Sequence, residues 1–121
     1  MIATCPCGSG PRYDQCCGRL HRGAALAQTP EELMRSRYSA YALGEFDYVL
    51  ATWHPRTRPG SISRGGISWT GLEVTDHGED WVEFTARYRA DDGTVGAMTE
   101  HSLFERRAGR WFYVEGDASD Q

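Results

Sequence analysis

The sequence contains no lysine and no apolar run near the roughly 20 residues that a membrane-spanning helix requires. Its first residues, MIATCPCGSG, also lack the basic stretch followed by an apolar stretch that marks a secretory signal. These absences predict a protein with no membrane span, and we expect it in the cytoplasm. No internal repeat or low-complexity tract interrupts the 121 residues, a length suited to one domain or a small domain with an appendage.

Because lysine is absent, arginine supplies all thirteen basic residues, and the formal net charge is −4. The charge is unevenly placed, since residues 1–23, here called the N-terminal segment, carry a net +2 and residues 24–121, the body, carry −6. The charged residues of the N-terminal segment are Arg12, Arg19, Arg22 and Asp14. An acidic body repels phosphates, so the sequence argues against a nucleic-acid partner.

All four cysteines lie in the N-terminal segment, and two chemical interpretations compete, disulfide bonds and a metal site. Disulfide-bonded Cα atoms usually lie about 4.4–6.8 Å apart, whereas adjacent Cα atoms lie about 3.8 Å apart, so a Cys16–Cys17 bridge would be strained. A reducing cytosol also disfavours disulfides. The sequence therefore predicts one metal ion bound by Cys5, Cys7, Cys16 and Cys17. Zinc, which takes soft ligands in a tetrahedron, is the expected cofactor.

The residues between the cysteines suit such a site. The run Gly8-Ser9-Gly10 lets the chain turn sharply and offers backbone N–H groups to thiolate sulfurs, and Tyr13 can cover the metal. The segment holds only three large apolar side chains, so a metal is needed to order it. Four cysteine ligands leave no position for a catalytic water, which predicts a structural site. His21 is either a rival ligand or an exposed histidine.

The sequence CPCGSGPRYDQCCG, residues 5–18, resembles the SEC-C motif, best known from the C-terminal tail of the preprotein translocase ATPase. That motif often has histidine as its fourth ligand, where this chain has Cys17. SEC-C tails act as docking tags, so the resemblance implies a protein partner such as a chaperone, the ribosome or the translocation machinery. Arg12, Arg19 and Arg22 are the candidate partner-binding residues, because guanidinium groups form bidentate hydrogen bonds with acidic surfaces.

The body reads as helices followed by strands, an α+β arrangement. Thr29 is the predicted N-cap of a first helix, Glu32 completes its capping box, and Gly44 suits its end. A short second helix is predicted over residues 46–53. The apolar period then changes to two, which predicts an antiparallel meander with strands at residues 67–74, 81–89, 94–107 and 110–115.

The body resembles the YchJ family, of the UPF0225 type. The resemblance rests on LMRSRYSAYALGEFDYVLATWHP (residues 33–55), on W-x-G-L-x-V (residues 69–74) and on GRWFYVEG (residues 109–116). It implies an NTF2-like, or cystatin-like, body in which helices pack in the curve of an antiparallel sheet and form a cone. We expect residues 24–121 to fold without the metal site.

A cone of this kind can hold a pocket. Strand alternation places Glu100 on the same inward face as Phe104, and Arg37 of the first helix is its natural ionic partner. Trp53 and His54 fall near the expected mouth, so the candidate pocket residues are Arg37, Trp53, His54 and Glu100. A His54–Glu100 pair suits acid–base catalysis, and the alternative is a core or capping histidine beside a structural Arg37–Glu100 ion pair.

The main interpretation is a zinc-binding, non-enzymatic protein-interaction module. One alternative is a cofactor-free lyase, isomerase or hydrolase that uses His54 and Glu100, and another is a small-molecule binding protein. A deep pocket holding both residues favours the alternatives, whereas a cone filled by aromatic side chains favours the interaction module. The aromatic side chains expected in the cone are Tyr38, Tyr41, Phe84 and Phe104.

Overall fold

The computed structural model describes residues 4–62 and 65–120. After a 3-10 turn at Tyr13–Gln15 come helices α1 (Cys17–His21), α2 (Pro30–Leu43) and α3 (Phe46–Ala51), then strands β1 (Ile67–His77), β2 (Trp81–Ala90), β3 (Val95–Arg107) and β4 (Arg110–Asp120). The strands form one antiparallel sheet in the order β1-β2-β3-β4, which confirms the predicted α+β meander. Among the described residues, no helix combines the length and apolarity that crossing a membrane requires.

Local side-chain chemistry sets both ends of α2. The hydroxyl of Thr29 accepts a hydrogen bond from the N–H of Glu32 at 3.1 Å, as predicted. The Glu32 carboxylate accepts in turn from the N–H of Gln28 at 2.7 Å, one residue earlier than in the usual capping box. Gly44 ends the helix in the left-handed region, with φ of 79°. These contacts set where α2 begins and ends.

The main core lies between α2 and the concave face of the sheet. Leu33, Met34 and Tyr38 of α2 belong to the same buried cluster as Val82 of β2. Leu20 of α1, only 4% exposed, also belongs to it. One core side chain therefore comes from the N-terminal segment, and the expectation that residues 24–121 fold without the metal site stays a prediction. Fully burying a leucine stabilises a fold by about 1.5–3 kcal/mol.

The end of α3 is tied to β4. The Thr52 carbonyl accepts from the N–H of Tyr113 at 2.9 Å, and the N–H of His54 donates to the Tyr113 carbonyl at 2.7 Å. Trp53, between them, forms a bridge with Tyr113. Extended backbone is needed for this pairing, so α3 ends at Ala51 rather than at the predicted residue 53. The connection fixes the end of α3 against β4.

Candidate metal centre and candidate pocket

The four cysteine side chains meet in one cluster. Their Sγ atoms all lie within 4.8 Å of one another, and all four cysteines are free thiols. Sγ of Cys16 is 3.6 Å from that of Cys7 and 4.0 Å from that of Cys17. A tetrahedron with Zn–S bonds of about 2.3 Å has sulfur–sulfur separations of about 3.8 Å. The donor set therefore fits one tetrahedral metal ion.

Two glycines shape the backbone around the sulfurs. Gly8 has φ of 79°, and its N–H donates to the carbonyl of Cys5 at 3.1 Å, which turns the chain after Cys7. At Gly18 a Cβ would lie 2.7 Å from the carbonyl oxygen of Tyr13. A side chain at position 18 would therefore push Tyr13 off the cluster that it covers.

Hydrogen bonds within the cluster distribute its protons unevenly. A hydrogen bond with the Cys17 thiol lowers the pKa of the Cys7 thiol to about 4, against the opposing effect of burial and with help from Ser9. The same bond, followed by burial, raises the pKa of Cys17, and burial raises the pKa of Cys16. A central cation would stabilise the thiolate form of all four.

The cluster is anchored to the body through one face of α2. Nη1 of Arg35 donates to the carbonyl of Cys7 at 2.7 Å, and Sγ of Cys5 lies 3.4 Å from Oγ of Ser39. Leu72 of β1 packs against the cysteines. The N-terminal segment is therefore in direct contact with both layers of the body.

His21 stands outside the cysteine cluster and ties α1 to α2. Its Nε2 is 2.8 Å from the carbonyl oxygen of Ser36, and its Nδ1 is 2.6 Å from the hydroxyl of Tyr13. Because a carbonyl only accepts, Nε2 carries the proton and Nδ1 accepts from the tyrosine. The expectation of a rival ligand or an exposed histidine is wrong, since both ring nitrogens are bonded within the fold.

The three candidate partner-binding arginines differ in their surroundings. Arg19 is half-buried, and it donates to the carbonyl of Cys16 at 3.0 Å and to the Glu32 carboxylate at 2.7 Å. Arg12 and Arg22 are exposed, and both contact Asp14. Arg12 lies 3.5 Å from the Asp14 carboxylate, and Arg22 donates to the Asp14 backbone carbonyl at 3.1 Å. Arg19 thus holds the segment on the body, whereas Arg12 and Arg22 face solvent.

A cavity of about 310 Å³ lies between α2 and the concave face of the sheet. Its volume is at the lower end of the range of roughly 300–1,000 Å³ for ligand pockets. Three of the predicted pocket residues, Arg37, Trp53 and Glu100, line it. The aromatic side chains expected in the cone line the cavity as well, so they do not fill it. The other lining residues are Met34, Tyr38, Tyr41, Trp69, Phe84, Ala86, Met98, Ser102, Phe104 and Tyr113.

His54 does not line this cavity. It is 5% exposed, its Nδ1 accepts from the N–H of Arg56 at 3.0 Å, and its Nε2 lies 3.3 Å from a carboxylate oxygen of Glu105. Glu105 is five positions from Glu100 on β3, so alternation directs the two carboxylates to opposite faces of the sheet. The predicted His54–Glu100 pair is therefore wrong, and His54 is a buried histidine, as in the alternative interpretation of a core histidine.

Glu100 lines the cavity, but its partners differ from the prediction. Oε2 of Glu100 accepts hydrogen bonds from the hydroxyl of Ser102 and, at 3.3 Å, from the hydroxyl of Tyr113. Burial, followed by the charge of Glu100, raises the pKa of Tyr113, so this phenol stays protonated and remains a donor. The predicted ion pair with Arg37 is wrong, because Ser102 and Tyr113 take the carboxylate instead.

Arg37 finds its partners at the C-terminal end of α3. Its Nη1 donates to the carbonyl of Val49 and to the hydroxyl of Thr52, both at 2.8 Å. Its guanidinium carbon lies 5.0 Å from the ring centre of Trp53 and 4.4 Å from that of Tyr113. Burial lowers the pKa of the Arg37 guanidinium, which nevertheless stays charged at neutral pH. Two aromatic faces thus stabilise a buried cation.

Comparison with known proteins agrees with this geometry. A family model described as "YchJ, middle NTF2-like domain" matches residues 29–116. A UPF0225 protein of Streptomyces coelicolor is 46% identical and covers 96% of each chain, and one of Deinococcus radiodurans is 48% identical over 92% of this chain and 86% of its own.

Two solved structures are similar along nearly the whole chain. The solution structure of a SEC-C motif containing protein from Rhodopseudomonas palustris has a TM-score of 0.84 and 38% identity, over 99% of this chain and 100% of its own. A crystal structure of a SEC-C motif containing protein from Psychrobacter arcticus has a TM-score of 0.75 and 26% identity, over 94% and 81%. The similarity therefore extends over the cysteine segment as well as the NTF2-like body.

Proposed function

This chain belongs to the YchJ family of UPF0225 proteins, and on that premise we propose that it is a zinc-binding, non-enzymatic protein-interaction module. Cys5, Cys7, Cys16 and Cys17 hold one structural zinc ion, and the exposed face of the N-terminal segment docks on an acidic surface of a partner. The observation that carries the proposal is the four-thiol cluster, seated on α2 and flanked by two solvent-facing arginines.

The donor set supports zinc in a structural role. Four thiolates are soft ligands, and their observed spacing matches a ZnS₄ tetrahedron. Bound zinc supplies two positive charges that offset thiolate repulsion, and the remaining charge of about −2 is balanced by the arginines of the segment. Four protein ligands leave no open coordination position, so the site suits ordering of the chain rather than hydrolysis.

The surroundings of the cluster support docking on an acidic surface. Arg12 and Arg22 are exposed, while Arg19 fixes the segment to Glu32. A preorganised segment loses little entropy on binding, so a small contact can still give useful affinity. Resemblance to SEC-C tails makes a chaperone, the ribosome or the translocation machinery the partner class. The separation of His54 from Glu100 removes the acid–base pair on which the enzyme alternative rested.

The test is capture of partners from cytosolic extract, followed by mass spectrometry. Three baits are compared: the whole chain, the double variant Arg12→Ala/Arg22→Ala, and the control Arg106→Ala/Arg107→Ala, which removes an equally exposed pair at the end of β3. We expect the whole chain and the control to retain a chaperone, ribosomal or translocation partner that the first variant loses, and high salt to release it. Retention of the same partners by Arg12→Ala/Arg22→Ala contradicts the proposal.

A further inference from the structure

The cavity of about 310 Å³ lies on a different face of α2 from the cysteine cluster. Met34, Arg37 and Tyr38 line the cavity, whereas Arg35 and Ser39 contact the cysteines. At about 100° per residue these two sets point in directions more than a quarter turn apart. A substitution in the cavity therefore leaves the α2 residues that contact the cysteines unchanged.

Arg37 is a buried cation with unused donors at the cavity. It is 6% exposed, and Nη1 donates both of its hydrogen bonds to the described residues. In the part of the chain that the structure describes, Nε and Nη2 have no hydrogen-bond partner. A guanidinium has five N–H donors, so three of them remain for an occupant of the cavity.

Two further lining residues have unused polar atoms. Nε1 of Trp53 is buried and has no partner among the described residues. Glu100 uses only Oε2, and within residues 4–62 and 65–120 its Oε1 accepts no hydrogen bond. The cavity wall therefore offers donors from Arg37 and one acceptor from Glu100, whereas the buried Nε1 of Trp53 is enclosed by protein. Its other walls are largely aromatic rings and aliphatic side chains.

We propose that this cavity binds an uncharged, flat aromatic molecule that carries a carboxamide or lactam group. The carbonyl oxygen accepts from Arg37, the adjacent N–H donates to Oε1 of Glu100, and the aromatic part lies among the rings of the wall. Arg37 and Glu100 carry opposite charges and cancel, so a neutral group that both accepts and donates uses both without adding a buried charge.

Charged analogues of the same shape are disfavoured either by Glu100 or by Arg37. A carboxylate has acceptors only, so one of its oxygens faces Oε1 of Glu100 and the two repel. An amidinium has donors only, so it satisfies Glu100 but faces the Arg37 cation. Three isosteric probes, 2-naphthamide, 2-naphthoate and 2-naphthamidine, therefore separate the proposed chemistry from its anionic and cationic alternatives.

The experiment titrates the whole chain with each probe and follows ¹H–¹⁵N NMR signals. The indole N–H of Trp53, assigned with Trp53→Phe, and the Nε–H of Arg37 report directly on the cavity. We expect 2-naphthamide to shift both signals with a Kd in the millimolar range or below, as its size allows, and about tenfold tighter than 2-naphthoate. Tighter binding of either charged probe, or no shift of these signals by any probe, overturns the proposal.

Glu100→Gln sharpens the test, because it converts the free acceptor into a donor at nearly constant size. The substituted amide oxygen can keep the bonds from Ser102 and Tyr113, which leaves its NH₂ group facing the occupant. We expect this variant to prefer 2-naphthoate over 2-naphthamide. The control Glu115→Gln, an exposed position on β4, keeps the original order. An unchanged preference in a folded Glu100→Gln protein contradicts the assigned role of Glu100, and the wild-type ranking tests the proposal even if that variant does not fold.

Discussion

The N-terminal segment and the body bury their residues by different chemistry. Cys7 and Val82 are both fully buried. The neighbours of Cys7 are other thiols, a serine hydroxyl and an arginine that binds its carbonyl, whereas Val82 belongs to the apolar core. A thiol cluster gains its stability from a bound cation, and an apolar core gains it from water exclusion. Equally buried residues in the two regions are therefore expected to respond differently to metal removal, which should affect the N-terminal segment more than the apolar core.

The largest effect that separates the two regions is expected from Cys16→Ser. Structural zinc contributes about 10–16 kcal/mol of apparent binding free energy in zinc-finger peptides, and the loss of one thiolate weakens such a site. We expect about one zinc per wild-type chain by elemental analysis and a small fraction of that in the variant. Hydrogen exchange should rise sharply in residues 4–23 and much less in the sheet.

Ser9→Ala is the matched control for that experiment. It keeps all four ligands but removes a hydroxyl that lies 3.3 Å and 3.1 Å from two of the sulfurs. Loss of such a supporting group typically lowers metal affinity by about 10–100-fold, which competition with a chelator can measure. A wild-type chain that is purified without chelator and holds less than about half an equivalent of zinc contradicts the structural-zinc interpretation.

Leu20→Ala tests whether the N-terminal segment contributes to the stability of the body. This leucine lies in the N-terminal segment but is buried in the main core, so its truncation should lower the free energy of unfolding by about 2–5 kcal/mol. Leu26→Ala is the control, since that side chain is 48% exposed and its loss should cost less than about 0.5 kcal/mol. Equal effects in urea unfolding would show that Leu20 does not contribute to the stability of the body.

The smallest expected effect belongs to the body alone and appears in alkaline solution. Burial raises the pKa of Tyr113 above its usual value, so the folded state holds this proton more tightly than the unfolded chain does. Stability is therefore full below about pH 10 and falls as the pH rises toward the folded pKa, by up to about 1.4 kcal/mol per pH unit. Tyr113→Phe should flatten this fall in urea titrations between pH 9 and 11, and an unchanged slope contradicts the assignment.

Features set by neighbouring residues could be predicted from the sequence. The ends of α2 follow from Thr29 and Gly44, whose effects act within one helical turn. The meander follows from the apolar alternation of each strand, and the cysteine cluster follows from four cysteines within a short polar stretch. In each case the chemistry that decides the structure lies close by in the chain.

Features set by side-chain direction between distant elements could not be predicted. The partner of Arg37 depends on where α3 ends, because its carbonyl and hydroxyl acceptors lie at that helix end. His54 contacts Glu105 rather than Glu100, because the backbone after α3 pairs with β4 and sets the position of the His54 ring. Arg19 likewise binds Glu32 across two helices. A linear pattern shows which residue types are available but not which pairs of them meet.

The order of the elements along the chain has a consequence for synthesis. All four cysteines lie before residue 18, but β4, which completes the sheet, ends only at Asp120. A growing chain leaves the ribosome from its N-terminus, so the metal ligands emerge while the strands that bury α2 are still unmade. The four cysteines are thus available for the proposed metal before the sheet that completes the body has been made.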